Sequence, residues 1–577
     1  MKKVIKILCL ILVVALLVCT AACGNKNQDV PNQDGQGESQ QTSSETSGGN
    51  SSQGTASSGN NSTGNSGNNS VNSSGNSSVS SSTNSSTGNT SGAPAGPSTY
   101  KEEKYWAKVN QVSKPSVSSG NMTLDAFEKV YRPYTEWRIY QIRTATPTVK
   151  PSGSGRAYYV SNNGNNKNDG LSASSPLKDY AGVAAKGLKS GDVIYFERGG
   201  TWRGRIEITT PGISISAYGD GKAPQFFASP ENGSGSGCWK ATDVKNVYEY
   251  KKTISDDVGA IIFDNKYYSF KSEYKKESVE GSNTIRYVNS YKDLKQDLQL
   301  YHDVKTYKVY LYSEHGNPSD RFNSIEFNVS KSVFSVQANN VTFDGICVKF
   351  TGAHGIASGT NNGLTVRNCE FGWIGGGKQG GITATARYGN AIEIWGGAVN
   401  YTVENNYIYQ IYDAGITFQF TSNTVNQTYN NIKFNNNVID YCNYSIEYFV
   451  TTPGDSKIKD FVIDGNLMWY AGDGLCSQRD DRSGSNHIKS WAHNNNLANQ
   501  IKVTNNLFAV GVRQLCETLD KTGLGAAYDK NIYVQTANRN VAKNGAMGTY
   551  FKMNDSVKEN IEKNLGDKNA VIIKITN

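Results

Sequence analysis

The segment RYGNAIEIWGG, residues 387–397, brings several chemically active side chains into one short stretch. Arg387 and Asn390 precede Glu393, and Trp395 follows it. Glu393 stands between two isoleucines, and side chains alternate between the two faces of a strand. If the isoleucines fill a core, the carboxylate and the indole share the outward face. A carboxylate beside an aromatic ring is an arrangement that suits the binding of a sugar.

Other segments align with this one when their aliphatic residues are matched: GIA at 355, GITFQ at 415, SIEYF at 445 and GLCSQ at 474. The residue after each aliphatic position then points outward, which gives the set Ala357, Glu393, Thr417, Glu447 and Cys476. Trp395, Gln419 and Phe449 point outward two positions further along. Parallel strands of stacked coils lie about 4.8 Å apart, so the backbones of Glu393 and Glu447 are expected roughly 9.6 Å apart.

Further polar residues map to the same region. Asp413 precedes the strand GITFQ, the run SQRDDRSGSNHI supplies three polar residues from the coil after Glu447, and His354 comes from an earlier coil. We predict three catalytic residues, Glu393, Asp413 and Glu447. We predict the substrate-binding residues His354, Arg387, Asn390, Trp395, Gln419, Arg479, Asp480 and His487.

Each of these residues also has a purely structural interpretation. Glu393 can be a solvated face residue, Trp395 can pack against a loop, and Asp413 can cap its turn. Arg479 can pair with Asp480 or Glu447 alone. The convergence of three carboxylates, a tryptophan and an arginine on one face favours a functional cleft.

A short pattern recurs along the chain and predicts the architecture that positions these residues. It reads VTFDGI from Val341 and VRNCEF from Val366, and it returns four more times, as VENNYI, FNNNVI, IDGNLM and VTNNLF. A fixed motif with variable spacing indicates a solenoid of coils. The asparagines suit turns, where they tolerate left-handed conformations and can stack coil on coil. Helical periodicity is nearly absent, so we predict an all-β fold.

The start of the folded part carries a resemblance. A strand at Ala157–Val160, a helix near Asp179–Leu188 and a strand at Val193–Glu197, with DGLS, SGDVIYF and GGTWRG, resemble the N-terminal cap of right-handed parallel β-helix proteins of the pectate-lyase-like superfamily. TGAHGI, FGWIGGG, RYGNAIEIWGG, VENNYIYQIYDAGIT, YSIEYF and SQRDDRSGSNHI are similar to a subgroup of secreted bacterial β-helix proteins. The resemblance departs from that pattern at Ala391, Cys476 and Asp480. It implies a right-handed parallel β-helix that acts on carbohydrate.

Three functions remain open. A glycoside hydrolase needs a carboxyl acid and a carboxylate base or nucleophile, and we expect Glu393 or Asp413 as the acid and Glu447 as the base or nucleophile. A polysaccharide lyase would use Arg479 or Lys489 as the base, with Ca²⁺ as a possible cofactor held by outward carboxylates. A surface protein that only binds glycans would need no catalysis. We favour the hydrolase, acting on a polysaccharide or oligosaccharide.

The N-terminal region predicts export. Residues 1–23 read as a bacterial lipoprotein signal with lipidation at Cys23, although Thr20 stands where the pattern usually has leucine. Residues 24–98 are rich in Ser, Asn and Gly and predict a disordered tether. We expect residues 99–154 to form an extension, 155–540 the β-helix with a strand-rich insertion at 240–330, and 541–577 a C-terminal cap.

Composition narrows the partners. The formal net charge of +8 is mild for 577 residues, so nucleic acid is not implied. Six cysteines follow the signal region without a CxxC pair, which disfavours zinc and leaves a disulfide open. We expect an extracellular monomer anchored to the cell membrane only through the lipid at Cys23.

Overall fold

The computed structural model describes residues 109–269, 272–273, 278–279, 282–283, 286–384, 386–422, 424–451, 456–479, 484–490, 501–518, 526–544 and 549–576. The predicted signal, Cys23, the tether and Asp480 lie outside these residues. Among the described residues, no helix is both long and apolar enough to cross a membrane.

The described helices are few: α1 (Leu124–Thr144), α2 (Tyr180–Ala184), α3 (Pro318–Arg321) and α4 (Val557–Leu565). The strands in the first half of the chain are β1 (Gly120–Met122), β2 (Ala157–Val160), β3 (Val193–Glu197), β4 (Thr201–Arg203), β5 (Ile206–Ile208), β6 (Ser214–Tyr218), β7 (Gln225–Phe227), β8 (Trp239–Ala241), β9 (Val247–Tyr250), β10 (Val258–Phe263), β11 (Tyr267–Tyr268), β12 (Ser272–Glu273), β13 (Ser278–Val279), β14 (Ser282–Asn283), β15 (Arg286–Tyr287), β16 (Leu300–His302), β17 (Val309–Tyr312), β18 (Ile325–Val329), β19 (Phe334–Val336), β20 (Val341–Asp344), β21 (Cys347–Thr351) and β22 (Ile356–Ser358). The later strands are β23 (Asn361–Asn362), β24 (Leu364–Arg367), β25 (Glu370–Ile374), β26 (Gly377–Lys378), β27 (Arg387–Tyr388), β28 (Ile392–Trp395), β29 (Ala398–Glu404), β30 (Tyr407–Thr421), β31 (Thr428–Asn435), β32 (Val438–Thr451), β33 (Lys457–Asp464), β34 (Leu467–Ala471), β35 (Asn486–Ser490), β36 (Ile501–Thr504), β37 (Leu507–Gly511), β38 (Cys516–Thr518), β39 (Ala526–Asp529), β40 (Ile532–Thr536), β41 (Asn540–Asn544), β42 (Phe551–Lys552) and β43 (Val571–Ile575).

The chain winds into coils whose parallel strands stack in three rows. Row 1 runs from β2 and β3 through β20, β24, β29 and β31 to β39. Row 2 includes β7, β21, β25, the first half of β30 and of β32, β34, β37, β40 and β43. Row 3 includes β5, β19, β22, β28, the second halves of β30 and β32, β35, β38 and β41. The fold is a right-handed parallel β-helix, as the sequence predicted.

The expected elements of the N-terminal part are present. β2 and β3 have the predicted bounds and pair in parallel, and α2 begins after Asp179, whose carboxylate accepts a hydrogen bond from the backbone N–H of Gly182. Between β7 and β19 the chain leaves the coils and forms small antiparallel sheets, which include β8–β9–β17–β16 and β11–β10–β18. At the other end, β43 pairs in parallel with β40 and with β1. The N-terminal and C-terminal strands therefore close row 2 together.

A column of buried asparagines holds the coils in register at the corner between rows 1 and 2. Each side-chain amide donates to the next side-chain carbonyl at 2.9–3.1 Å, through Asn406, Asn437, Asn466, Asn506 and Asn531. Asn531 then donates to the carboxylate of Asp567 at 2.9 Å. The residue before several of these asparagines has a positive φ, as at Asn405 (59°) and Asn436 (58°). The predicted roles of the motif asparagines, left-handed turn and stacking, are both confirmed.

Helix α1 lies on the outer side of row 2, in the region predicted from the sequence as an N-terminal extension. Its Phe127 and Tyr131 pack on Trp469 with ring centroids 5.6 and 6.3 Å apart. Its Arg143 holds the buried carboxylate of Glu370 through two hydrogen bonds of 2.8 and 3.0 Å. Lys349 contacts the same carboxylate at 2.8 Å. The described part of the N-terminal extension, residues 109–154, therefore includes a helix that packs into the folded core.

The six cysteines of the described part, Cys238, Cys347, Cys369, Cys442, Cys476 and Cys516, are free thiols, and all but Cys238 are buried. Burial raises the pKa of the Cys347 and Cys369 thiols to about 12. These residues serve as small apolar side chains of the core.

Replacing Asn466 by Ala should lower the free energy of unfolding by about 4 kcal/mol, because four buried hydrogen bonds of its side chain are lost at about 1 kcal/mol each. Urea denaturation measures the change. Lys433→Ala, an exposed position on β31, is the control and should change the free energy little. Equal effects of the two variants would contradict a stabilising asparagine column.

Replacing Glu370 by Gln should destabilise the fold by about 3–5 kcal/mol, because Arg143 and Lys349 lose their buried partner. Burial favours the neutral form of Glu370, but the charges of Arg143 and Lys349 outweigh it and hold its pKa well below the ordinary value. The stabilisation is therefore complete above the unfolded-state pKa and is lost as the pH falls through the folded-state pKa. Thermal unfolding measured across the acid pH range checks this prediction. Glu207→Gln, which removes the exposed carboxylate that pairs with Arg205, is the control and should change the pH dependence little.

Candidate functional site

Row 3 presents a straight line of outward side chains. The register pairs Ala357 with Glu393, Glu393 with Thr417, and Thr417 with Glu447. The predicted alignment of these coils is confirmed. Because Thr417 stands between them, Glu393 and Glu447 lie two strands apart, which is roughly 9.6 Å between backbones.

The next coil differs from the prediction. Residues Gly474–Gln478 form a 3-10 helix capped by Asp473, so the prediction of a strand at GLCSQ is wrong. The strand of that coil is β35, and Lys489 rather than Cys476 pairs with Glu447. Gly472 and Gly474 adopt positive φ values of 87° and 75°, which turns the chain before the strand can form. The alternation of inward and outward side chains along NHIKS, residues 486–490, was the sequence signal that could have identified Lys489 as the outward residue of this coil.

Glu393 is buried and has two polar partners. The Asn390 amide donates to its carboxylate at 2.6 Å, and His354 Nδ1 lies 2.8 Å from the same oxygen. Burial alone would raise the pKa of Glu393, but the electrostatic effect of His354 and the hydrogen bonds from His354 and Asn390 outweigh burial and lower it. Glu393 is therefore held as a carboxylate.

Asn390 fixes this arrangement across neighbouring coils. Its backbone nitrogen lies 3.1 Å from His354 Nδ1, and its side-chain carbonyl accepts from the backbone N–H of Ala414 at 2.8 Å. The His354 ring also meets Tyr388 edge to face at 4.8 Å between centroids. Asn390 and His354 thus position Glu393.

Glu447 is buried to a similar degree, with 5% of the residue exposed. The Gln419 amide from the preceding coil donates a hydrogen bond to its carboxylate. Lys489 stands on its other side but forms an ion pair with Glu517, which also accepts from the Tyr550 hydroxyl at 2.6 Å. Burial lowers the pKa of Lys489, against the opposing effects of Glu517 and Glu447.

Asp413 and Arg479 form an ion pair beside this line. A β-bulge between Ile411 and Ala414 displaces Asp413 from the regular register with β32. The Arg479 guanidinium, at the end of the 3-10 helix, lies over the rings of Tyr412 and Tyr444 at 5.5 and 6.0 Å. An arginine partner favours the charged form of an aspartate, so this pair suits hydrogen bonding better than proton donation.

The half-buried surface next to the carboxylates is aromatic and amide in character. Trp395 pairs in register with Gln419, and Gln419 pairs with Phe449. Trp395 also meets Phe420 edge to face at 6.2 Å between ring centroids. All four side chains are partly accessible, whereas Glu393 and Glu447 are buried.

Two predicted binding residues lie elsewhere. Arg387 donates to the Asp257 carboxylate at 2.9 Å and to the Gly376 carbonyl at 2.7 Å, so it ties the β26–β27 hairpin to the insertion. His487 is fully buried, with its ring nitrogens 3.0 Å from Ser445 Oγ and 3.3 Å from the Ala509 carbonyl. Burial lowers the pKa of His487 to about 3, so it is a neutral core residue and not an outward ligand for substrate.

Sequence reasoning also overlooked Asn443. It is fully buried, stands between Cys442 and Tyr444 opposite the bulge that carries Asp413, and neither atom of its amide has a hydrogen-bond partner among the described residues. The sequence does not show that Asn443 lies opposite Asp413, because the β-bulge shifts the register between β30 and β32 by one residue.

The three predicted catalytic carboxylates are each engaged by other side chains of the protein. Calcium takes six to eight oxygen ligands, but Glu393 is bonded to His354 and Asn390, Glu447 to Gln419, and Asp413 to Arg479. Within the described ranges, no group of three or more His, Cys, Asp or Glu side chains is arranged to hold a metal ion.

No protein-family profile matches the sequence, and no curated protein matches it. Several solved structures are similar in shape. One is the complex of XylC with xylose, with a TM-score of 0.41 and 13% identity over 69% of this chain and 73% of that one. Pectate lyase Pel9A has a TM-score of 0.35 and 15% identity, over 68% and 71% of the two chains. A GH136 lacto-N-biosidase from Eubacterium ramulus has a TM-score of 0.32 and 12% identity, over 78% and 71%.

Replacing His354 by Gln should raise the pKa of Glu393, because the electrostatic effect of His354 then no longer opposes burial. Carbon NMR titration of the glutamate carboxyls measures this pKa. His315→Gln, at an exposed histidine in the insertion, is the matched control and should leave the Glu393 titration unchanged. An unchanged pKa in His354→Gln would contradict the proposed coupling.

Proposed function

We propose that the protein is a carbohydrate-active enzyme, and specifically a glycoside hydrolase that uses Glu393 and Glu447. The observation that carries this proposal is the register of row 3, in which both carboxyl groups stand on one line with a single threonine strand between them. Each is buried and fixed by an amide from a neighbouring position, Asn390 or Gln419. Paired, fixed carboxyl groups are what hydrolysis of a glycosidic bond requires.

The spacing favours inversion of configuration. Two strands separate the backbones by roughly 9.6 Å. Inverting enzymes hold their carboxyl groups about 6.5–9.5 Å apart to admit a water, whereas retaining enzymes need about 5–5.5 Å. Glu393 and Glu447 are closer to the inverting arrangement.

The lowered pKa of Glu393 reverses the order of roles expected from the sequence. In the proposed reaction, the Glu393 carboxylate takes a proton from water, and the water oxygen bonds to the anomeric carbon. The bond from that carbon to the glycosidic oxygen breaks as Glu447 delivers its proton to that oxygen. Asp413 is not assigned as the acid in this scheme, because its carboxylate is already engaged in an ion pair with Arg479.

The remaining residues have supporting roles. His354 and Asn390 position Glu393, and His354 balances its charge. The accessible faces of Trp395 and Phe449 suit the apolar faces of sugar rings, and Gln419 and the Asp413–Arg479 pair suit their hydroxyl groups.

A lyase is the second candidate because Lys489 lies on the same line and burial lowers its pKa, as a catalytic base requires. Against this candidate, Lys489 is only 2% exposed and is already paired with Glu517. A proton abstracted from substrate must reach the lysine nitrogen, and this arrangement keeps substrate away from it.

Glu393→Gln and Glu447→Gln should each lower the hydrolysis rate about 10²–10⁴-fold, the range for loss of a general acid or base. The rate is followed by release of reducing ends from xylan, arabinan, galactan, β-glucan and polygalacturonate. Glu207→Gln, an exposed glutamate on the same row, is the control and should retain activity. Proton NMR of the first product should show the inverted anomer.

A different result would decide between the two candidates. Rising ultraviolet absorbance from unsaturated uronates, lost in Lys489→Met but kept in Glu393→Gln, would replace the hydrolase by a lyase. No release of sugar from any substrate would leave a protein that binds glycans without cleaving them.

A further inference from the structure

The charges around Glu393 and Glu447 are compensated within the protein. Among the described residues, Arg479 pairs with Asp413, Lys489 pairs with Glu517, and His354 pairs with Glu393. On the neighbouring hairpin, Arg387 pairs with Asp257, and the Lys378 ammonium donates to the Ile382 carbonyl at 2.7 Å. Each of these cations therefore has a partner before any substrate binds.

The charged side chains beside Glu393 and Glu447 retain little exposure, 12% for His354, 15% for Asp413 and 11% for Arg479. At the positions beside Glu393, Thr417 and Glu447, the partly exposed side chains are Trp395, Gln419, Phe420 and Phe449. An anionic sugar placed there would meet two carboxyl groups, while the described cations beside them are already paired within the protein. Like charges brought together in a partly desolvated site are strongly unfavourable.

We infer that the substrate is a neutral glycan, without uronic acid at the sugars that contact Glu393 and Glu447. This inference rests on the proposed function of the same site. A uronate would have to displace Asp413 from Arg479 or Glu517 from Lys489, and each exchange leaves a buried carboxylate without its partner. Neutral hydroxyl groups need only the amides and the aromatic faces that the wall offers.

The inference differs from what net charge suggests. A formal charge of +8 allows a preference for anionic partners over the whole surface. The surface around Glu393 and Glu447 does not share that preference, because the cations there are paired with carboxylates of the protein. Specificity follows the groups that contact the ligand, and a missing counter-charge excludes a partner as effectively as a clash.

The test compares two polymers that differ only in charge: polygalacturonate, and the same polymer after chemical reduction of its carboxyl groups to a neutral galactan. Neutral xylan, arabinan and β-glucan extend the panel, because the linkage is unknown. Cleavage is measured with the native protein, and retention in affinity gels containing each polymer is measured with Glu393→Gln. We expect cleavage and retention on at least one neutral polymer, with polygalacturonate at least about tenfold poorer than that polymer in both.

A charge variant makes the comparison sharper. Phe449→Lys places a cation in the accessible wall, and it should raise retention by polygalacturonate relative to the best neutral polymer. Phe449→Leu removes the ring without adding charge, and it should weaken retention by both polymers without changing their ratio. The measured quantity is the ratio of retention by polygalacturonate to retention by the neutral polymer. A general loss of binding would lower both retentions and would not produce the expected change in this ratio.

The outcomes separate this inference from the proposed function. Cleavage of polygalacturonate as fast as of the neutral polymers would overturn the neutral substrate while the hydrolase stands. Retention on neutral gels without cleavage would support the neutral ligand and overturn the hydrolase. Neither cleavage nor retention on any polymer would overturn both.

Discussion

The buried asparagine column is the interaction on which the rest of the structure depends. Each amide from Asn406 to Asn531 is sealed from water and has its hydrogen bonds only if the next coil stands directly above it. A shift of one residue would leave those amides unpaired and would move every core side chain to the outside. The column therefore fixes the register of all three rows, including the row with Glu393 and Glu447.

The same rule of pairing buried polar groups shapes the site. The carboxyl groups of Glu393 and Glu447 on row 3 are shielded from water, and each is accompanied by a group that stabilises it, His354 for Glu393 and Gln419 for Glu447. These partners come from neighbouring coils, so the geometry of the site is a property of the stack rather than of one loop. A side chain fixed by packing and by hydrogen bonds needs little reorganisation when a substrate arrives.

The N-terminal extension links stability to this architecture. Helix α1 covers the outer side of row 2, and Arg143 neutralises Glu370, which would otherwise be a buried carboxylate with Lys349 and Tyr409 as its polar contacts. β1 also extends row 2 beyond β43. A strand edge that is covered has no free hydrogen-bonding groups to pair with another chain.

By itself, the sequence determined the coil pattern, the asparagine turns and the outward line Glu393–Thr417–Glu447, because strand alternation and a repeated turn motif are local signals. It did not determine that Lys489 follows Glu447, since glycine turns and a short 3-10 helix interrupt the repeat there. Only the tertiary structure decided which partners surround each charge. Contacts such as Asp413 with Arg479, or Arg387 with Asp257, join residues far apart in the chain, and no local pattern encodes them.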